Sequence, residues 1–288
     1  MEDLFVLETP GKINLFLEIK GKRPDSWHEL LTLFYPLPGL SDRVGLRFGG
    51  AEGEIRLTCS APGVPLDGEN LMAKAARAFF AAAGKPCPGL ELTLEKHLPV
   101  AGGMGGGSSD AGAVLRLLLK HSGIVLPPEK LSAAALSVGS DVPFFLDPVP
   151  SVGRGRGEVL SPLGLPPDLP LLLIPGIFPI SAAWAYRHWR EVPPVDPPSL
   201  DDLLKTLAAG DCAAAGRFLR NDLEGAVLRK FPLLQLLTER LRGSGGAPLL
   251  SGSGSTLFAL YPDRSARDRA AAELAPELEK YHASAVKS

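Results

Sequence analysis

The sequence predicts a mixed α+β fold in two units, and three observations carry that prediction. The opening third alternates apolar and polar residues with the period of two that strands require. A glycine run near residue 105 passes directly into a helical period, and the chain closes on strand, helix, strand. At roughly 150 residues per domain, 288 residues correspond to about two domains, and 45% apolar against 22% charged side chains is enough for a sizeable buried core.

In chain order, strand patterns cover Leu4 to Thr9, Ile13 to Lys20, Leu30 to Leu37, Arg43 to Phe48 and Glu54 to Cys59, separated by Gly, Pro and Asp, which reads as an antiparallel sheet. Leu71, Ala75, Ala78 and Phe79 then fall on one face of a helix over Asn70 to Ala83, and Leu90 to Leu94 returns to alternation. A helix is expected to begin near Ser108 to Asp110, with Ser and Asp as N-caps and Gly123 as the stop; a second covers Pro128 to Val138. The Gly- and Pro-rich stretch from Gly153 to Pro170 is expected to join the two units, with domains over 1–160 and 161–288. Beyond it come a strand at Leu171 to Ile174 and helices near Ser181 to Arg190, Leu200 to Ala209, Cys212 to Leu219 and Leu233 to Arg242. A short Pro-rich loop occupies 193–199. The last pieces are Pro248 to Leu260 with a Gly/Ser interruption, a helix over Arg264 to Leu274, and a strand over Tyr281 to Val286.

Composition excludes several classes. The formal net charge of −2 provides no global positive field for nucleic acid or an anionic membrane. Cys59, Cys87 and Cys212 are widely spaced and odd in number, so neither a disulfide framework nor a cysteine zinc site is indicated, and a reducing cytoplasm fits best. The N-terminus lacks the pattern of a secretory signal. Two uncharged stretches, Leu169 to Tyr186 and Gly243 to Pro262, are interrupted by prolines or glycines and read as buried strands joined to loops, not as membrane spans. The five histidines show no ligand spacing, so no protein-built transition-metal site is expected.

The most informative segment is Pro99-Val100-Ala101-Gly102-Gly103-Met104-Gly105-Gly106-Gly107-Ser108-Ser109-Asp110. Glycines tolerate positive φ and leave backbone N–H groups open, and a loop of this kind at a helix start makes an anion cradle suited to phosphate. It is not a P-loop, because the three Gly-Lys pairs are followed by Ile13, Arg23 and Pro86, and the third glycine of a dinucleotide fingerprint is replaced by Ser108 or Asp110. A second loop, Ser251-Gly252-Ser253-Gly254-Ser255, interrupts two apolar runs and either is an ordinary turn or closes over the same ligand. Asp141, between a turn signal and the apolar run Val142 to Leu146, is a turn cap or a carboxylate that takes a hydroxyl proton. Lys12 is a solvated strand end or a phosphate-neutralising cation. Lys96 is solvated or steers phosphates, and Trp27, His28, Trp184 and Tyr186 are packing residues or a base-stacking set.

Taken together, Pro10-Gly11-Lys12-Ile13-Asn14, the Pro99 to Asp110 loop and the Ser251 to Ser255 loop resemble the GHMP kinase superfamily. The stretches at 12–30, 96–114 and 139–146, with Asn221-Asp222-Leu223-Glu224 and 250–260, are most similar to its branch acting on 4-diphosphocytidyl-2-C-methyl-D-erythritol. The resemblance implies ATP-dependent phosphorylation of the acceptor's 2-hydroxyl, with Mg²⁺ accompanying the nucleotide, as a step of non-mevalonate isoprenoid synthesis. It also implies an N-terminal domain like the second domain of ribosomal protein S5 and a ferredoxin-like C-terminal domain. Lys12 and Asp141 match the family's catalytic pair, and Pro99 to Ser109 match its ATP-phosphate loop. Asn70 and Lys96 match nucleotide-side positions, and Asn14 and His28 substrate-side ones. Trp27 stands where a tyrosine is usual, Met104 replaces leucine, and Ala182 departs from a Ser-Thr pair, which leaves Tyr186 as candidate for the second stacking aromatic. Two alternatives stay open, a homoserine- or mevalonate-type kinase of the same superfamily and a non-catalytic nucleotide-binding module.

Overall fold

Two long strands dominate the first fifty residues of the structure, a computed structural model that describes residues 3–189, 198–281 and 283–287. These are β1 (Phe5–Lys22) and β2 (His28–Phe48), each one continuous strand where the alternation suggests two. Packing divides the chain into two units that are discontinuous in sequence. The first takes the chain up to Gly11, Leu40–Val100 and Gly105–Pro148; the second takes Lys12–Gly39, Ala101–Met104 and Val149 onward. Both long strands therefore pass from one unit into the other, and these units differ in kind from a single linear cut near residue 160.

In the first unit, the later half of β2 pairs antiparallel with β4 (Leu90–Glu95), from Arg43 opposite Glu95 to Phe48 opposite Leu90. β3 (Ile55–Cys59) lies parallel to β4. A parallel pair needs a crossover of a dozen or more residues, and α1 (Leu71–Ala83) supplies it. The helix starts where the Asn70 side chain accepts a hydrogen bond from the Met72 N–H at 2.8 Å. It ends at Gly84, which adopts the left-handed conformation. Its apolar face, with α2 (Gly106–His121) and α3 (Pro128–Val138), buries Phe79, Phe80, Val114 and Leu118 against Val44, Leu46, Leu90 and Leu92 of the strands. Neither Ser108 nor Asp110 is the N-cap of α2. The helix begins two residues before Ser108 and is headed by Gly105, because the glycines already satisfy helical geometry.

The second unit contains the earlier half of β2, paired antiparallel with β5 (Ser151–Gly155), which forms a hairpin with β6 (Val159–Pro162). The Gly/Pro-rich segment expected as a plain join is thus partly strand. A four-stranded antiparallel sheet comes next, ordered β11-β7-β10-β9, with β7 (Leu171–Ile174) central beside β10. Its helices are α4 (Ala182–His188), α5 (Leu200–Ala208), α6 (Cys212–Ala215), α7 (Glu224–Lys230), α8 (Pro232–Gly243) and α9 (Arg264–Leu278). The two-residue β8 (Arg220–Asn221) runs parallel to β1, with Leu17 opposite Asn221. β9 (Ala247–Leu250), β10 (Leu257–Leu260) and β11 (Val286–Lys287) complete the set. Leu172, Ile174, Leu237, Leu257, Tyr261 and Leu274 are buried in its core.

The helix α7 has no counterpart in the sequence expectations, and the one expected over Cys212 to Leu219 stops at Ala215 before a 3₁₀ turn. Tyr281 ends another 3₁₀ turn instead of beginning the last strand. Arg190, most of the 193–199 loop and His282 lie outside the described residues. Among the described residues no helix is long and apolar enough to cross a membrane.

Candidate active site

Lys12 is buried, 4% exposed, although it heads no core pattern. Strand alternation places it on the same side of β1 as Asn14, and its ammonium donates to Asn14 Oδ1 at 2.8 Å. Asn14 Nδ2 donates to Thr32 Oγ1 at 2.8 Å, and that hydroxyl donates to the Phe16 carbonyl at 2.7 Å. The Lys12 ammonium also lies 5.4 Å from the centre of the Phe34 ring, and its backbone N–H donates to the Met104 carbonyl at 2.9 Å. A buried cation is costly unless held by such partners. The solvated strand end is thereby replaced by a fixed, dry positive charge tied to the early glycine loop.

That loop uses its glycines for two separate ends. Gly103 has φ +81°, and a Cβ there would stand 2.3 Å from the Ser251 carbonyl oxygen. Gly105, with φ +68°, heads α2 and has no side chain to cap it, so the first N–H groups of the helix stay available to an anion. Ser108 is half-buried on that first turn, and a Cβ at Gly139 would be 3.8 Å from its hydroxyl. Ser109 points elsewhere. Its Oγ donates to the Pro10 carbonyl at 2.7 Å and lies 2.6 Å from Thr9 Oγ1, fastening α2 to β1 within the first unit.

The late loop lies directly on residues 102–103. Ser251 Oγ donates to the Gly103 carbonyl at 2.9 Å, and the Thr256 N–H donates to the Gly102 carbonyl at 3.0 Å. A Cβ at Gly252 would be 3.7 Å from the Lys12 ammonium and 3.6 Å from Asn14 Oδ1. Lys12, Asn14, Gly103 and Gly252 therefore converge in the second unit.

Asp141 belongs to the first unit, at the head of the 3₁₀ turn Val142–Leu146, and its side chain makes no capping hydrogen bond to that turn. Asn70 is occupied in capping: Oδ1 takes the Met72 N–H, and Nδ2 donates to the Pro65 carbonyl at 2.7 Å. The Lys96 ammonium is buried between Asp42 and Asp110, at 3.0 Å from the latter. Asp42 also accepts the backbone N–H groups of His97 and Leu98 at 2.6 and 2.8 Å. Asp110 Oδ1 is buried with no hydrogen-bond partner among the described residues. Burial raises the Asp110 carboxyl, Lys96 pulls it down, and Asp42, competing for the same ammonium, pushes it up again. Asp110 is thus not the cap of α2; its carboxylate is committed to the Lys96 ammonium.

Of the residues expected on the acceptor side, His28 and Tyr186 stack on each other, with centroids 5.1 Å apart at 23°. Trp27 is half exposed and instead carries the Arg156 guanidinium 3.7 Å above its ring. Trp184 packs on His188 and Phe231. Sequence reasoning did not single out Thr9, Thr32, Asp42 or Arg156. Asp42 alone left a signal, as an acid in period-two register with the core residues Val44 and Leu46. No three His, Cys, Asp or Glu side chains converge as a metal site among the described residues.

The sequence matches the family model for the GHMP kinases N terminal domain over residues 70–147 and that for the GHMP kinases C terminal over residues 200–280. It is 39% identical over 267 residues to the 4-diphosphocytidyl-2-C-methyl-D-erythritol kinase of Syntrophotalea carbinolica, covering 92% of this chain and 91% of the relative. The chain belongs to the 4-diphosphocytidyl-2-C-methyl-D-erythritol kinase family. A further kinase of that name, from Anaeromyxobacter dehalogenans, is 42% identical, with 91% and 82% of the two chains covered. A crystal structure of a 4-(cytidine 5'-diphospho)-2C-methyl-D-erythritol kinase superimposes with TM-score 0.79 at 33% identity over 98% of both chains. The homoserine kinase of Cytophaga hutchinsonii, at 18% identity and TM-score 0.76 over 100% of this chain and 94% of its own, shares the fold. Membership in this kinase family removes the homoserine- and mevalonate-type alternatives and the non-catalytic module.

Proposed function

We infer that the chain phosphorylates the 2-hydroxyl of 4-diphosphocytidyl-2-C-methyl-D-erythritol with ATP, giving the 2-phosphate and ADP, a step of non-mevalonate isoprenoid synthesis. The observation that carries this reading is the near full-length identity to kinases of that name. The anion cradle at Gly105 and the buried Lys12 ammonium beside Gly252 support it chemically.

In this reading the N–H groups at the start of α2 and the Ser108 hydroxyl hold the β- and γ-phosphates. The acceptor oxygen attacks the γ-phosphorus, the bond to the ADP oxygen breaks, and the hydroxyl proton passes to Asp141. Lys12 neutralises charge on the phosphoryl group in transit, with Asn14 fixing the direction of its ammonium. Positioning and electrostatics supply most of the rate. A magnesium ion would arrive on the nucleotide, since that ion prefers phosphates and water to an all-protein cage. Ser108 is the residue that would contact it, and its chemistry there is to neutralise phosphate charge. Asn70 and Lys96 serve the nucleotide by shaping α1 and the approach to the loop. His28, Tyr186, Trp27 and Asn14 receive the cytidylylated acceptor, 1–160 and 161–288 act as the two functional domains although the packing units interleave across that cut, and the protein works in the cytoplasm.

The test is ADP release by purified protein with ATP and Mg²⁺, comparing the cytidylylated acceptor with homoserine, mevalonate and no acceptor. Release with the cytidylylated acceptor alone is expected. Equal release with homoserine or mevalonate would overturn the substrate assignment.

A further inference from the structure

The motif Asn221-Asp222-Leu223-Glu224 lies outside both glycine loops, yet two of its side chains grip the late one. Asn221 is 7% exposed, and its amide is fully engaged. The two hydrogens of Nδ2 go to the carbonyls of Leu250 and Gly252, at 2.7 and 2.8 Å, while Oδ1 accepts the Leu223 N–H at 2.9 Å. Glu224 Oε1 accepts the Leu250 N–H at 2.9 Å. The entry to the late loop is therefore held on both its carbonyl and its amide sides by one short segment.

The same segment is in register with the strand that carries Lys12. Asn221 stands opposite Leu17, the Asp222 N–H donates to the Leu17 carbonyl at 3.0 Å, and Asp222 Oδ2 accepts the Ile19 N–H at 2.8 Å. A closed circuit results. It runs from β1 to β8, through Asn221 to Leu250 and Gly252, through Ser251 Oγ to the Gly103 carbonyl, and from Met104 back to the Lys12 N–H. Buried hydrogen bonds in such a ring fix geometry because each unmade bond strands a desolvated polar group. Gly252 and Ser253 contribute no apolar side chain to the core, so the ring positions backbone beside the Lys12 ammonium without being a packing element.

We propose that Asn221 and Glu224 are positioning residues for phosphoryl transfer, holding the late loop so that Gly103 and the Lys12 ammonium keep their places at the moving phosphate. The proposal rests on the reading that Lys12 and the glycine loops form the transfer site.

Asn221→Asp keeps the shape but turns two donors into acceptors facing two carbonyls. In the full-length enzyme, with the fraction folded measured by circular dichroism and thermal melting, kcat per folded molecule should fall at least tenfold while the KM for the cytidylylated acceptor moves less than threefold. Glu224→Ala should lower kcat several-fold, and Glu224→Gln, which keeps an oxygen for the Leu250 N–H, should restore most of that loss. Ser251→Ala, which removes only the link to Gly103, should lower kcat several-fold even if Asn221→Asp does not fold. Wild-type kcat per folded molecule in Asn221→Asp, or in Ser251→Ala where Asn221→Asp does not fold, overturns the proposal, as does a Glu224→Gln no better than Glu224→Ala. Lys12→Ala separates the two levels. If it retains wild-type turnover, the transfer-site reading itself fails; if it loses turnover while Asn221→Asp keeps it, only the positioning role fails.

Discussion

The two glycine loops meet at Gly103, yet they are built on different plans. The early loop runs straight into a helix: a left-handed Gly105 opens α2 and the helix presents its own N–H groups, while the carbonyls of Gly102, Gly103 and Met104 are held from afar by Thr256, Ser251 and Lys12. The late loop has no helix behind it, lies between β9 and β10, and is placed by side chains about thirty residues earlier, Asn221 and Glu224, and by a partner 148 residues away through Ser251 and Gly103. Both loops are held from afar, but only the early one opens a helix whose N–H groups can grip an anion. The donors of a phosphate cradle can therefore be encoded in a dozen consecutive residues, whereas the placement of the two loops is specified across the whole chain.

The largest expected effect separates both loops from the chemistry. Asp141→Asn leaves the residues of both loops unchanged, so ATP should bind as in the wild type while kcat falls by about 10²- to 10⁴-fold, the usual contribution of a placed general base. Equilibrium nucleotide binding and steady-state rates measured together decide it, and turnover near the wild-type rate would remove Asp141 from the mechanism.

Gly103→Ala attacks the point the loops share. The new Cβ would meet the Ser251 carbonyl at 2.3 Å in a backbone conformation with φ +81°. Strain of roughly 1–3 kcal/mol is expected, with a loss of about 100-fold in kcat/KM for ATP from displaced phosphate contacts. A substitution at Gly84, which also has a left-handed backbone but no neighbour within 4 Å, should lose stability without that kinetic loss.

The last effect concerns the grip on the late loop and is read as pH dependence of stability. Burial pushes the Glu224 carboxyl up to about 7, against the opposing pull of the Leu250 N–H and Arg242. The unfolded chain releases that proton near 4.5, so between these values the folded state carries one more proton and stability falls as pH rises. The total change across the window is roughly 3 kcal/mol. Melting temperatures of Glu224→Gln should lose that slope between pH 5 and 7, and an unchanged slope would assign it to another group.

Much of this architecture was legible because it is local. Asn70 with Gly84 brackets α1, Pro128 opens α3, and the run ending at Ser109 announces a helix start, all through features confined to a few neighbouring residues. Periodicity also placed β7, α8 and α9 to within a few residues. What failed was nonlocal. Lys12 reads as a strand end because the Met104 carbonyl and the Phe34 ring that surround it are far along the chain. The glycines of the β5–β6 turn look like linker because φ +72° at Gly155 and +105° at Gly157 serve a hairpin whose partner is β2. Asp110 adjoins the glycine run in sequence, but its counter-charge, Lys96, comes from the end of β4.

The interleaving of the two units sets a timetable for synthesis. The chain crosses between them at residues 11/12, 39/40, 100/101, 104/105 and 148/149. Every residue of the first unit has left the ribosome once Pro148 has emerged. Residues 12–39, made long before, then still lack β5 at 151–155 and β8 at 220–221. The nascent chain accordingly carries Phe16, Leu17 and Ile19 without the covering they receive in the finished protein, through some seventy further residues of translation. At about 5–20 residues per second, that exposure lasts several seconds, and the middle of β1 is apolar chain open to wrong contacts for that time.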